Sequence, residues 1–199
     1  MNALRILCAG VLAAGLVLSS RALYLHAKAE LASILIRRAW AASIAHGGEP
    51  RRAWPWADTH PVARLRIPRL GYDEIVLDNA SGRTLAFGPA VVLSGARIGG
   101  PGNFVLAGHR TTWFRKLEGI AEWDRIELEW YDTSQKRLRV RSYSVESIGI
   151  VAPEDLQLVA DDGQDALTLV TCYPFGLGPR SPQRFVVHAN LANLAETHN

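Results

Sequence analysis

Leu167-Thr168-Leu169-Val170-Thr171-Cys172-Tyr173-Pro174 is an apolar run of strand length that a proline stops two residues after a cysteine. Downstream, past Gly178-Pro179-Arg180-Ser181-Pro182-Gln183, the segment from Arg184 to Ala189 reads as the last strand. If these two form a hairpin, the end of the first meets the start of the second, and Cys172 comes to lie beside Arg184. Upstream, Asp161-Asp162-Gly163 makes a turn, and Leu138 to Val151 alternates with a phase slip near Ser142. Arg125 to Trp130 alternates as well. Asn103 to Ala107 is apolar and follows the turn cluster Gly99-Gly100-Pro101-Gly102. Tyr72 to Leu77 is a further short run, and Arg64-Leu65-Arg66-Ile67 is stopped by Pro68 and Gly71. Seven or eight short strands with turn punctuation and few helices specify an all-β domain, either a closed barrel or a sandwich.

The 199 residues, 48% hydrophobic and 21% charged, suit one domain with a short appendage. That composition excludes a collagen-like, disulfide-built or largely disordered chain. A single apolar stretch approaches membrane length, which excludes a multi-span protein. The net charge of +3 is unevenly placed: residues 1–52 carry seven Lys/Arg and two acids, whereas residues 53–199 carry 15 and 17. A nucleic-acid-binding domain needs its basic excess on the folded body, so no nucleic-acid partner is expected. A basic stretch beside an apolar segment suits anionic lipid head groups instead. Cys8 lies in the apolar N-terminal run and Cys172 in the body, so the two are read as unpaired, with neither a zinc site nor a disulfide framework.

The run from Ile6 to Leu18 is short for a membrane span, but continuing across Arg21 to Leu25 reaches spanning length, with the arginine placed to snorkel. Residues 1–25 are therefore expected to be a membrane anchor. A cleaved signal, with Ala27-Lys28-Ala29 as the cleavage site, is the alternative. From Ala22 to Ser43 the spacing is helical, with Ala27, Leu31, Ile34, Leu35 and Ala42 as the apolar stripe, and His46-Gly47-Gly48-Glu49-Pro50 ends it. Residues 26–52 thus form a juxtamembrane helix and linker, either amphipathic at the membrane or docked on the domain. The remaining body spans 53–199, and near its start Trp54-Pro55-Trp56 carries two indoles suited to a membrane interface or to packing.

Two segments carry chemistry. Phe104-Val105-Leu106-Ala107-Gly108-His109-Arg110 places a histidine at the mouth of an apolar strand, and the Cys172 run ends a second apolar strand in a thiol. Ionisable side chains where a strand leaves the core are rigidly held yet reachable. Together they suit nucleophilic acyl transfer, in which an imidazolium supports the reactive thiolate. Such a site needs a cation or backbone donors for the oxyanion, and Arg184 is the candidate cation. His188, on the same strand face as Arg184 and Val186, competes with His109 as partner of Cys172, and Arg110 and Arg180 compete with Arg184. Thr171 either shapes the site or packs as a β-branched residue. His26, His46, His60 and His198 read as surface or loop residues. The acidic run Asp161-Asp162-Gly163-Gln164-Asp165 lacks the spacing and ligand number of a calcium site, so no metal and no organic cofactor is expected.

Ala107-Gly108-His109-Arg110 with Phe114-Arg115-Lys116-Leu117, then Thr168-Leu169-Val170-Thr171-Cys172-Tyr173-Pro174-Phe175, then Arg184-Phe185-Val186-Val187, resembles the sortases, in particular the proteobacterial type with an N-terminal anchor. Trp54-Pro55-Trp56-Ala57-Asp58-Thr59 and Ser81-Gly82-Arg83-Thr84-Leu85-Ala86-Phe87-Gly88-Pro89 extend the likeness over most of the chain. Two departures stand out. Thr111 occupies a place where an aspartate is frequent, and Gly178-Pro179-Arg180-Ser181-Pro182-Gln183 replaces a glycine-rich loop. The resemblance implies a closed eight-stranded barrel and a cysteine transpeptidase. Cys172 would attack the threonine carbonyl of a Leu-Pro-x-Thr-like signal on a secreted protein. His109 would be the acid and then the base, Arg184 would hold the oxyanion, and an amine would accept the acyl group. It also implies a single-pass protein of the cytoplasmic membrane with its body on the extracytoplasmic side. The flanking charges, with Arg5 before the apolar run and Arg21, Lys28, Arg37 and Arg38 after it, favour the opposite orientation.

The rival chemistries fit less well. A papain-like hydrolase puts its cysteine at a helix start, upstream of its histidine, whereas here the order is reversed. The Ser-x-Gly-Cys-Arg element of a cysteine L,D-transpeptidase is absent. A membrane-anchored barrel that binds peptide without turning it over is the non-enzymatic alternative.

Overall fold

A computed structural model of the chain describes residues 2–92, 96–155, 165–176, 178 and 181–192; within the N-terminal helix, the side chains of residues 2–6, 8, 9, 13, 14, 22, 25 and 26 are outside that description. Eight strands, β1 (Pro61–Ile67), β2 (Tyr72–Leu77), β3 (Ala90–Val91), β4 (Asn103–Ala107), β5 (Arg125–Asp132), β6 (Arg137–Val151), β7 (Ala166–Tyr173) and β8 (Gln183–Leu191), close into a barrel. Their order around it is β1-β2-β3-β4-β7-β8-β6-β5. The closed barrel, one of the two architectures open to the sequence, is the one formed. Closure leaves no edge strand to pair with another chain.

The strands form because their apolar residues alternate. In β1 every second residue, including Ala63, Leu65 and Ile67, is buried, and these meet Leu106, Ile126, Leu128, Val145, Leu167 and Leu169 inside the barrel. Burying each such side chain contributes about 1.5–3 kcal/mol. The turn after β1 is set by Pro68 and by Gly71, which is left-handed at φ 55°. β3 has only two residues, too few for a period to show, and the sequence reading missed it. The phase slip expected near Ser142 is also not there. β5 and β6 pair without interruption from Asp132↔Arg137 to Arg125↔Ser144, and the bulge lies between Val145 and Ser147, on the β8 side.

The helix α1 (Asn2–Ala45) is longer than the segment expected from Ala22 to Ser43, because the apolar N-terminal run continues in the same helix. Gly47 and Gly48, at φ 73° and 84°, end it, and the Gly48 N–H donates to the Ser43 carbonyl at 2.9 Å. Its docked face is Ile36, Ala39, Trp40 and Ser43, not the expected stripe; Leu31 and Ile34 are 56% and 47% exposed. Ile36 and Trp40 pack on the outer face of the barrel, against Ile75, Leu77 and Ala90. Arg37 secures the contact by donating to the Asp73 carbonyl at 2.6 Å and to Glu74 Oε2 at 3.1 Å. Among the described residues no helix is long and apolar enough to cross a membrane. Of residues 1–25, over which the anchor is expected, 12 have side chains outside the described set. Of the two tryptophans, Trp54 meets Phe87 edge-on at 5.1 Å, whereas Trp56 stays 80% exposed.

Candidate active site

β4 and β7 run parallel, and their register ends at Ala107↔Val170. One step further, the Gly108 N–H donates to the Val170 carbonyl at 3.2 Å, and the Thr171 hydroxyl donates to the Gly108 carbonyl at 2.7 Å. His109 therefore leaves β4 at the level where Cys172 leaves the core on β7. On the other side of β7, Cys172 is the direct antiparallel partner of Arg184. Three adjacent strands thus carry His109, Cys172 and Arg184 in one row at one end of the barrel.

Alternation decides which face they occupy. Leu167 and Leu169 point into the core, as do Val187 and Ala189. Thr168, Val170 and Cys172, and Arg184, Val186 and His188 opposite them, hence lie on the outer face. His109 is exposed, and Cys172 and Arg184 are half-buried. Among the described residues neither the His109 imidazole nor the Cys172 thiol has a hydrogen-bond partner, so the two share a location without being locked together. Catalytic hydrogen bonds are often loose before substrate binds. Arg184 Nη1 donates to the carbonyls of Ser181 and Gln183 at 3.1 and 3.0 Å. Its Nη2 and Nε have no partner among the described residues.

The turn that carries His109 is built tightly. The Phe114 N–H donates to the His109 carbonyl at 3.0 Å, and the Phe114 ring is fully buried. A Cβ on Gly108 would come within 2.7 Å of that ring, so a glycine is needed before the histidine. Arg110, only 8% exposed, donates to the carbonyl of Pro174 at 2.6 Å and to that of Gly178. It ties the His109 turn to the exit of β7 and the β7–β8 connection. Both of its terminal nitrogens are engaged in this clamp and the side chain is buried, whereas Arg184 is half-buried with Nη2 and Nε unpaired among the described residues. Arg180, the other competitor, lies outside the described residues. Beneath the row, Tyr173, Phe175 and Phe185 form an aromatic cluster, with Phe175 and Phe185 edge-on at 4.9 Å and Tyr173 stacked on Phe185 at 6.4 Å. Cys172 and Arg184 are thus flanked by rings that immobilise the strand ends.

The remaining histidines are placed elsewhere. His188 is on the outer face as expected, but four residues along β8 from Arg184, roughly 13 Å away. Its Nδ1 is 3.1 Å from the Thr168 hydroxyl, which itself donates to Asn103 Oδ1 at 2.9 Å. His46 Nδ1 lies 2.7 Å from the Ala42 carbonyl, and His60 Nδ1 lies 3.4 Å from Asp78 Oδ2. The His26 side chain and His198 are outside the described residues. Of the acidic run, Asp165 is described, and it accepts from the Gly102 N–H at 3.0 Å. Among the described residues no group of His, Cys, Asp or Glu is arranged to hold a metal ion. The sequence reading missed the roles of Gly108, Phe114 and the Arg110 clamp. Glycine directly before the histidine was the visible signal of a close approach.

A closed barrel with a half-buried thiol on its outer face, flanked in register by an imidazole strand and a guanidinium strand, has the layout that a thiol-dependent acyl transferase requires. The family model described as the sortase domain matches residues 65–192, and this chain belongs to the sortase family, whose members are cysteine transpeptidases. It is 30% identical over 115 residues to sortase A of Bacillus anthracis, covering 56% of this chain. It spans about half the length of that curated relative, 51%. Among solved structures, the sortase D5 transpeptidase of Clostridium perfringens superposes with a TM-score of 0.64 at 18% identity, over 82% of this chain and 99% of the other, a likeness of fold. Sortase A from Corynebacterium diphtheriae superposes at 0.60 with 26% identity, over 72% of this chain and 66% of that one.

Proposed function

We propose that the protein is a membrane-anchored transpeptidase that cleaves a Leu-Pro-x-Thr-like signal on a secreted protein and transfers the acyl group to an amine. The observation that carries this is the single row of His109, Cys172 and Arg184 across β4, β7 and β8. The Cys172 thiolate adds to the threonine carbonyl carbon, and the negative charge moves to the carbonyl oxygen. The unsatisfied donors of Arg184 face that charge by charge-assisted hydrogen bonds. His109 gives a proton to the departing amine as the C–N bond breaks, leaving a thioacyl-enzyme. An incoming amine then attacks, loses its proton to His109 and expels the Cys172 thiolate. α1 exposes Leu12, Leu16, Leu18 and Leu23 by 68% or more, and this supports residues 1–25 as the anchor. The body then works on the extracytoplasmic side, where secreted substrates pass.

The test is incubation of residues 53–199 with a Leu-Pro-x-Thr-Gly peptide library and an amine, read by mass spectrometry. A product ligated after threonine and a thioacyl adduct on Cys172, both lost in Cys172→Ala, are expected. A Cys172 that neither forms an adduct nor reacts with a small alkylating agent overturns the proposal in favour of a barrel that binds peptide without turnover.

A further inference from the structure

A cavity of about 620 Å³ lies where α1 meets the body, away from the Cys172 row. Leu31 and Leu35 of α1 form one wall, and Trp54, Trp56 and Phe87 belong to the other. Its volume falls in the range of sites that hold small molecules. The walls are apolar, yet Lys28 and Arg83 are among the lining residues and both side chains are exposed. Asp58 pairs with Arg83 at 3.2 Å, which leaves one positive charge in excess. Arg21, two turns before Lys28, adds a second cation on the same helix face.

The surroundings say what such a slot takes. Leu31, Ile34 and Trp56 are exposed beside it, and the apolar surface continues up α1 through Tyr24, Leu23, Leu18 and Val17, each at least 65% exposed. Scattered exposed hydrophobics are ordinary, whereas a continuous strip leading into a cavity marks a binding surface. From Leu23 to Leu31 is about 12 Å along the helix axis. The cavity therefore opens just beyond the apolar part of α1, at the depth of head groups if that part lies in a bilayer. Exposed indoles and cations are the side chains favoured there. Resting on the anchor reading above, we infer that the cavity seats one acyl chain of an anionic bilayer phospholipid, with the phosphate held by Lys28 and Arg83. Such a lipid fills a gap between helix and body that is large enough for a chain. It would fix the angle at which the barrel stands on the membrane.

The experiment uses the full chain in nanodiscs of mixed phosphatidylglycerol and phosphatidylcholine, with native mass spectrometry of the released protein. Ala86, exposed and lining the cavity, is replaced in Ala86→Phe to fill it, and Lys28→Glu with Arg83→Glu removes the cations. Turnover of the signal peptide checks that each variant is folded. The wild type is expected to retain one phospholipid, with phosphatidylglycerol preferred by about fivefold per cation. Ala86→Phe should stay in the nanodisc and lose the lipid, and the charge variant should lose the preference. A wild type that enters the nanodisc but leaves it without lipid overturns the inference, as does an Ala86→Phe variant that retains as much. A chain that never enters the nanodisc overturns the anchor reading, and this inference with it.

Discussion

Cys172 of β7 and Arg184 of β8 are direct antiparallel partners one rung from the end of their ladder, which closes at Tyr173↔Gln183. Their spacing is therefore fixed by backbone pairing and not by a loop. Arg184 still has free donors, so its removal should act on the transition state more than on folding. Arg184→Ala is expected to lower kcat/KM by about 10²–10³-fold with little change in thermal stability. Arg184→Lys should recover only part of the loss, because a point charge does not reproduce the planar fork. Steady-state kinetics beside a thermal melt would check both.

Gly108 is the second position at which a small change should be felt. The methyl of Gly108→Ala meets the buried Phe114 ring at 2.7 Å, so either the ring or the His109 turn must move. A loss of about 1–3 kcal/mol is expected, with kcat falling more than KM rises. Denaturant midpoints and kinetics on the same preparation separate the two effects, and unchanged kinetics would show that the turn absorbs the methyl without moving His109.

Arg110 should behave differently from Arg184, although both are arginines near the thiol. Its guanidinium is buried and holds the carbonyls of Pro174 and Gly178. Arg110→Ala leaves those carbonyls unpaired and is expected to destabilise the body by about 2–3 kcal/mol. Proteolysis in the β7–β8 connection should accelerate in the same variant, and protection equal to wild type would count against the clamp.

Acid should weaken the fold partly through Asp124. The Arg69 guanidinium paired with it holds its carboxyl below the ordinary 3.8, helped by the Ala121 N–H. A carboxyl whose folded-state pKa is lowered contributes stability above its unfolded value, and that stability is lost as the pH falls through the folded value. Asp124→Asn is thus expected to be less stable than wild type at neutral pH, with the gap closing below about pH 3.8. Urea midpoints measured across that range decide it; a gap that stays constant would mean that the carboxylate charge is not involved. Glu74, which burial pushes upward, works in the opposite sense and should be left unchanged in the comparison.

What the sequence disclosed follows the range of the forces involved. Strands such as β1, β2 and β4 were legible because alternation in β1, and a short run bounded by turn residues in β2 and β4, are local signals and each strand has five or more residues. The Cys172–Arg184 pairing followed from hairpin geometry alone. The neighbourhood of His109 and Cys172 did not, because a parallel ladder joins strands that no short turn connects; the residue chemistry and the resemblance suggested the pair, but no local pattern placed it. The Arg110 clamp was hidden because its partners are backbone carbonyls 64 and 68 residues away, which any residue type would supply. On α1 the difficulty was an excess of signal. Leu31, Ile34 and Leu35 mark one apolar face and Ile36, Ala39 and Trp40 another, and periodicity does not say which of them the barrel covers.

The parallel β4–β7 ladder has a consequence for timing. It sets His109 level with Cys172, and it joins residues 63 apart in sequence, from Asn103↔Ala166 to Ala107↔Val170. Contacts of such separation form late, after the local hairpins. In the unfolded chain Cys172 therefore has no fixed imidazole neighbour, and it acquires one only when the barrel shuts. Barrel closure and assembly of the candidate site are then one event.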